Sequence, residues 1–280
     1  MSTTNAYQLS MNSISRQFSS VTNQCPAQNV IVAHYHLFKN AGTSVDVILK
    51  QNFGSAWSKI EFPKINQQSN SHLVQNWLEQ QNISAFSSHT ALFPLPSLDN
   101  TLVLPIVFLR HPLIRLWSVY NFERKHRQVL NASIKLAQSK DFAGYLNYQL
   151  DQPLNRSCRN FQNYRFSWLN SQPNKTELER ALDGLDWLPI VGIVAEFDLS
   201  MELYRQAIAK YYPLFQFQSV HKNITSERNL SQDEKLDLIR TNLDHNTYQR
   251  LLDANQDDLQ LYSAAKNKLS LLSSQLNNPG

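Results

Sequence analysis

Asn29-Val30-Ile31-Val32-Ala33-His34-Tyr35 runs straight into His36-Leu37-Phe38-Lys39-Asn40-Ala41-Gly42-Thr43-Ser44, and this stretch decides the fold. Its first seven residues are apolar and rich in β-branched side chains, the composition of a strand. The run breaks at 39–42, and from Thr43 a helical pattern puts Val45, Ile48 and Leu49 on one face. Strand, tight turn and helix therefore follow in direct succession. At such a junction the free N–H groups of the first helical turn and the positive end of the helix dipole stabilise an anionic phosphate or sulfate. Lys39, Gly42, Thr43 and Ser44 fit that use; a plain turn with Thr43 or Ser44 as the helix cap fits the spacing as well. Because Lys39 precedes the single glycine, the Gly-x-x-x-x-Gly-Lys-Ser/Thr order of nucleoside triphosphatases is missing, which argues against an ATPase or a P-loop kinase.

A second unit of the same kind begins at Thr101. Residues 101–109 read as a fully buried strand, and Pro112 falls in the first turn of the next helix, where its missing N–H costs nothing. The unit spans 101 to about 128. Arg110 ends the strand and Ser118 lies two turns into the helix, so a guanidinium fork and a hydroxyl can hold one phosphate from two sides. The alternative makes Arg110 a surface ion-pair partner and Ser118 a small packing residue.

Other segments fill in an α/β pattern. Helices are predicted over 71–81, 142–148, 159–169, 176–185 and 199–211, short strands over 83–88 and 188–195, a Pro-punctuated loop over 92–96, and two helices within 231–272. Strands alternating with helices predict a mainly parallel central sheet flanked by helices, with ligands beyond the carboxyl ends of the strands. The 280 residues and 42% hydrophobic content support one domain, 28–272, between polar tails at 1–27 and 273–280.

With 26 Lys and Arg against 22 Asp and Glu, the net charge of +4 suits an anionic ligand and falls far short of a nucleic-acid-binding tract. Cys25 and Cys158 make neither a disulfide framework nor a four-ligand metal site, and point to free thiols in a reducing compartment. No signal-like or membrane-spanning apolar run occurs, so a soluble, cytoplasmic protein is expected. The Asn-x-Ser/Thr triplets at Asn82, Asn131, Asn155, Asn174, Asn223 and Asn229 then reflect an Asn-rich composition, not glycosylation.

Together, Lys39-Asn40-Ala41-Gly42-Thr43-Ser44 and Arg110-His111-Pro112 with Ser118 resemble the two signatures of the family of carbohydrate sulfotransferases that includes heparan sulfate 2-O-sulfotransferase. Those enzymes use 3′-phosphoadenosine 5′-phosphosulfate (PAPS). Ser88-His89, Asn160-Phe161-Gln162-Asn163-Tyr164-Arg165-Phe166, Val191-Gly192-Ile193-Val194-Ala195-Glu196-Phe197 and Asp258-Leu259-Gln260-Leu261-Tyr262 are similar to further segments of that family, so the likeness runs roughly from Val30 to Leu269. Two positions depart from its pattern: Ser88 stands for a usual glycine and His111 for a usual Asp or Asn. The resemblance implies a P-loop-like sulfotransferase fold, in which Lys39, Asn40, Ala41, Gly42, Thr43 and Ser44 hold the 5′-phosphosulfate while Arg110 and Ser118 hold the 3′-phosphate. It further implies transfer of the sulfuryl group to an acceptor hydroxyl on a carbohydrate, with 3′,5′-adenosine bisphosphate (PAP) as the product.

Such a transfer needs a cation for the leaving phosphate and a base for the acceptor proton. Lys39 is the choice for the cation by its place in the turn. His89 is the choice for the base, since histidine titrates near neutral pH and this one ends a strand on the same rim as both loops. His34, His36 and Glu61 stay open as alternatives. No metal is required, and no Asp/Glu/His cluster stands out. The run Arg124-Lys125-His126-Arg127 could meet an acidic glycan or form a solvated helix face. Trp57, Trp77, Trp117, Trp168 and Trp187 suit core packing better than sugar stacking. The competing functions are a non-catalytic nucleotide-binding module and a P-loop kinase-like phosphotransferase.

Overall fold

A computed structural model describes residues 29–63, 66–129, 131–170, 172–218 and 230–277. The expected tail 1–27, Cys25 and the triplets at Asn223 and Asn229 lie outside them. Strand β1 (Asn29–Tyr35) occupies the middle of a four-stranded sheet. On one side it pairs with β3 (Ala85–Ser88), beyond which β2 (Trp57–Lys59) forms the edge; on the other it pairs with β4 (Thr101–Ile106). All three pairings are parallel, with Val32 opposite both Ala85 and Leu104. Parallel neighbours need crossovers, and α1 (Gly42–Phe53) and α2 (Gln67–Glu79) supply them. The expected α/β class, a parallel central sheet flanked by helices, is the one the chain adopts.

Val32, Ala33, Phe86 and Ile106 are essentially inaccessible, so β1, β3 and β4 are covered on both faces, which is why β1 and β4 read as largely apolar runs without alternation. Val45, Ile48 and Leu49 of α1 join this core at the spacing the sequence predicts. Beyond β4 the chain continues as β5 (Phe108–Leu109) and then α3 (Pro112–Arg124), α4 (Ala132–Ser139), α5 (Phe142–Leu150), α6 (Phe161–Phe166) and α7 (Glu177–Trp187). β6 (Gly192–Ile193) and α8 (Phe197–Ala209) precede α9 (Gln232–Thr241), α10 (His245–Ala254) and α11 (Gln256–Asn277). A second apolar cluster joins Leu113, Leu116 and Tyr120 of α3 to Leu146 of α5 and Leu251 of α10. Among the described residues, no helix is long and apolar enough to cross a membrane.

Several expected boundaries move, each for a local reason. The strand expected over 101–109 divides at Val107, whose N–H donates to the Tyr204 hydroxyl and whose carbonyl accepts from Gly192 N–H and that same hydroxyl. The backbone thereby changes partner from β1 to β6. Of the strand expected over 188–195 only Gly192–Ile193 pairs, because 188 still closes α7 through Gly184 and Val194–Glu196 turns into a 3₁₀ segment. The helix expected over 71–81 starts at Gln67, where the Asn66 side chain accepts from Ser69 N–H as its cap. The C-terminal region forms three helices where two are predicted: Asp244 caps α10, and α11 follows only after Asn255, so residues 273–277 of the expected tail are helical. β2 and α4 have no counterpart in the sequence expectations.

Candidate functional site

The chain goes from β1 to β2 and β3 on one side of it and then to β4 on the other, a switch of the kind at which α/β folds bind ligands. The two expected loops follow β1 and the β5 extension beyond β4. In the first loop Lys39 and Ala41 both have left-handed backbones, with φ of 67° and 63°. Ala41 is the N-cap of α1 and its methyl group caps nothing, so neither Thr43 nor Ser44 takes the cap position. Thr43 is exposed and Ser44 half-buried in that first turn. Asn40 is buried between the two left-handed residues and donates through Nδ2 to the Phe108 carbonyl and to Gln162 Oε1, both at 2.7 Å.

In the second loop Arg110 Nη1 donates to the Lys39 carbonyl at 3.1 Å, so the two expected phosphate loops are in contact. Arg110 N–H donates to Gln162 Oε1 at 2.9 Å, and Gln162 Nε2 returns a bond to the Arg110 carbonyl at 2.8 Å. The Lys39 ammonium lies 4.4 Å from the ring centre of Phe122. Ser118, half-buried, precedes Phe122 by four residues and shares its helix face. At the departure from the family pattern, His111 is the N-cap of α3, with no capping bond from its side chain. Its ring instead meets Tyr262 edge-on, and burial, aided by the Lys266 charge, lowers its pKa to about 4.

His36 links the first loop to His89. Its imidazole lies against Gly42, where a Cβ would come within 1.9 Å of the ring, so only glycine fits. His36 also meets the ring of His89 at 3.8 Å between centroids and stacks on that of His34 at 5.1 Å. His89, whose side chain is 35% exposed, is held from Nδ1 by Glu61 Oε1 at 2.6 Å, and Glu61 also accepts from His89 N–H and the Thr90 hydroxyl. Partial burial opposes the charge of Glu61, but the bonds from His89 and Thr90 outweigh it and hold the carboxyl below its usual range. An ionised Glu61 fixes the proton of His89 on Nδ1 and leaves Nε2 as an acceptor, the arrangement of a histidine–carboxylate dyad. Glu61 is thus the partner of His89.

His34, the remaining alternative base, is inaccessible: its Nδ1 lies 2.9 Å from Asp46 Oδ1 and 3.1 Å from the Ser87 hydroxyl. Burial lowers its pKa to about 4, against the pull of Asp46. Although no cluster of metal-ligating groups stands out in the sequence, His34, His36 and Asp46 offer donor atoms within 4.8 Å of one another. The two histidines share one side of β1 by their spacing of two residues, and Asp46 reaches them from the first turns of α1. The Lys59 ammonium already binds Asp46 Oδ2 at 2.8 Å, so a divalent cation would have to displace it. Burial opposes the charge of Asp46, yet His34, His36 and Lys59 hold its carboxyl far below the usual range.

Lys59 and Lys235 belong to this region and escape single-sequence reading, while Gln162 falls in a resembling segment that assigns it no role. Burial and the nearby Arg110 charge both lower the pKa of Lys235, which adds a cation from α9 to the second loop. Arg165 donates to the His89 and Ala91 carbonyls, and Asp258 accepts from the N–H groups of Gln162 and Asn163 at the start of α6. Gly192 pairs with Phe108 in the β5–β6 ladder, where a Cβ would come within 2.5 Å of the Phe108 ring. Arg124, Lys125 and Arg127 are exposed, and the His126 ring meets Phe122 edge-on beside Lys39. Trp57, Trp77, Trp117 and Trp168 pack against the two cores, while Trp187 is exposed.

No family model matches the chain. It is 35% identical over 239 residues to an uncharacterized protein of Archaeoglobus fulgidus, an alignment that takes in 83% of this chain and 94% of that protein. The chain therefore belongs to the same family as this archaeal protein.

Proposed function

We propose that the chain is a sulfotransferase that takes the sulfuryl group from PAPS and passes it to an acceptor hydroxyl on a carbohydrate. One observation supports the proposal: the Arg110 guanidinium reaches the Lys39 carbonyl, so the two loops that resemble a 5′-phosphosulfate site and a 3′-phosphate site lie in contact. The segments that resemble the sulfotransferase family elsewhere in the chain converge on the same place. His89 adjoins the first loop through His36; Gln162 and Arg165 brace both loops and the His89 carbonyl; Gly192 supports β5; Asp258 holds α6.

In the proposed reaction the acceptor oxygen attacks sulfur as His89 Nε2 takes its proton. The bond from sulfur to the 5′-phosphate oxygen breaks on the opposite side, giving a sulfate ester and PAP. Lys39 and the first-turn N–H groups of α1 stabilise the charge that develops on the leaving oxygen, where positioning and electrostatics do most of the work. Lys235, which feels the charge of Arg110, and Ser118 of α3 are further groups for the 3′-phosphate. The exposed Arg124, Lys125 and Arg127 favour an acceptor that itself carries negative charge. Incubation with PAPS labelled in sulfur and a panel of neutral and acidic glycans tests the reading: labelled glycan is expected from the wild type and not from folded His89→Ala. A panel that stays unlabelled while PAP binds would favour a non-catalytic nucleotide-binding module.

A further inference from the structure

The first loop is costly to hold in place. Non-glycine residues in the left-handed region cost on the order of 1 kcal/mol each, and such strain persists only where the surroundings over-determine it. Lys39 and Ala41 are both of this kind, and the residue between them, Asn40, is the one with buried tertiary bonds. The second loop is as short: only Arg110 and His111 separate β5 from α3. Neither loop has a ladder of its own to fix it.

Gln162 bonds to both. Its Oε1 accepts from Asn40 Nδ2 and from Arg110 N–H, while its Nε2 donates to the Arg110 carbonyl. The side chain is completely buried, and its backbone N–H donates to Asp258 Oδ2 on α11. No other proteinogenic side chain of this length offers an uncharged acceptor and donor together. We propose that Gln162 is a positioning residue that ties the two loops into one site, so that each loop holds its shape only while the other does. As a statement about recognition of the donor it rests on the sulfotransferase reading; as a statement about the loops it stands without a ligand.

Hydrogen exchange followed by mass spectrometry on the full chain tests it first without nucleotide. In Gln162→Met, which keeps the volume and loses all three side-chain bonds, exchange in 39–44 and in 108–111 should both rise about tenfold, while the β1–β3 ladder stays protected. Were Gln162→Met not to fold, Gln162→Glu keeps the shape and the two accepted bonds and removes the donation to the Arg110 carbonyl, and should accelerate 39–44 as well as 108–111. Faster exchange in one loop alone, or in neither, would overturn the coupling. Titration with PAP and with AMP supplies a second readout that general loosening would not move: Gln162→Met should lower PAP affinity about tenfold and AMP affinity much less, since only PAP engages both loops. Equal losses would reject the role in donor recognition. If wild-type protein bound no PAP, the sulfotransferase reading would fall, while the exchange result would still decide whether Gln162 couples the loops.

Discussion

The imidazole of His36 lies flat against Gly42, so close that a Cβ there would sit 1.9 Å from its Cδ2 and Nε2 atoms. The same ring also meets that of His89, at 3.8 Å between centroids. Gly42→Ala should therefore displace the His36 ring, costing about 1–3 kcal/mol of stability. Denaturation of Gly42→Ala, His36→Ala and the double variant checks this. The alanine at 42 should cost far less once His36 is removed, and equal costs in the two backgrounds would show that the contact is not what restricts residue 42.

Lys39 and Arg110 are expected to fail in different ways. Lys39→Ala should reduce turnover roughly 10²-fold with a small effect on PAP affinity, because the ammonium would act on charge that develops as the phosphate leaves. Arg110→Ala should weaken PAP binding itself. Steady-state kinetics alongside calorimetry separate the two, and wild-type activity in both variants would contradict the two-loop reading.

His89→Ala should keep PAP binding and lower kcat roughly 10² to 10⁴-fold, as expected for loss of a general base. Glu61→Gln should also lower kcat, roughly 10²-fold, since the carboxylate that sets the tautomer of His89 becomes an amide. Single-turnover rates with circular dichroism of the same samples give the answer. Full activity in Glu61→Gln would mean that the dyad does not orient the base.

Acid should destabilise the protein well before its carboxylates titrate. His34 and His111 have folded pKa values of about 4, against 6.5 for the free side chain, and burial is the leading cause for both. Below pH 6.5 the unfolded chain binds protons that the folded chain refuses, so stability falls as pH drops from 6.5 toward 4 and is fully present above 6.5. At pH 5 the completely buried His34 alone would account for a loss of about 2 kcal/mol. Urea titrations at pH 7 and pH 5 measure it, and unchanged stability would mean that these imidazoles accept protons in place.

The parts legible in the sequence were those written in local pattern. β1, the turn at 39–42 and α1 follow from an apolar run, a break and a 3.6-residue period, and the start of α3 follows from Pro112. Parts fixed by tertiary partners were not legible. Val107 interrupts a continuous apolar run because a tyrosine 97 residues away takes both of its backbone groups. β2 has only three residues, too few to show a period. At the site, the resemblance supplied Gln162 as part of a motif but no role for it, because its partners Asn40 and Arg110 are 122 and 52 residues distant. Asp46 and Lys59 carried no signal at all, since their charges meet His34 and His36 only in the fold.

The central claim is that one surface reads two phosphates at once, and calorimetry with PAP, AMP and ATP tests it most directly. PAP should bind at least about tenfold more tightly than AMP or ATP, a difference near 1.4 kcal/mol, and Arg110→Ala should abolish that margin by removing the 3′-phosphate contact. Equal affinity of the wild-type protein for PAP and AMP would contradict the account, because Arg110, Ser118 and Lys235 would then recognise no 3′-phosphate.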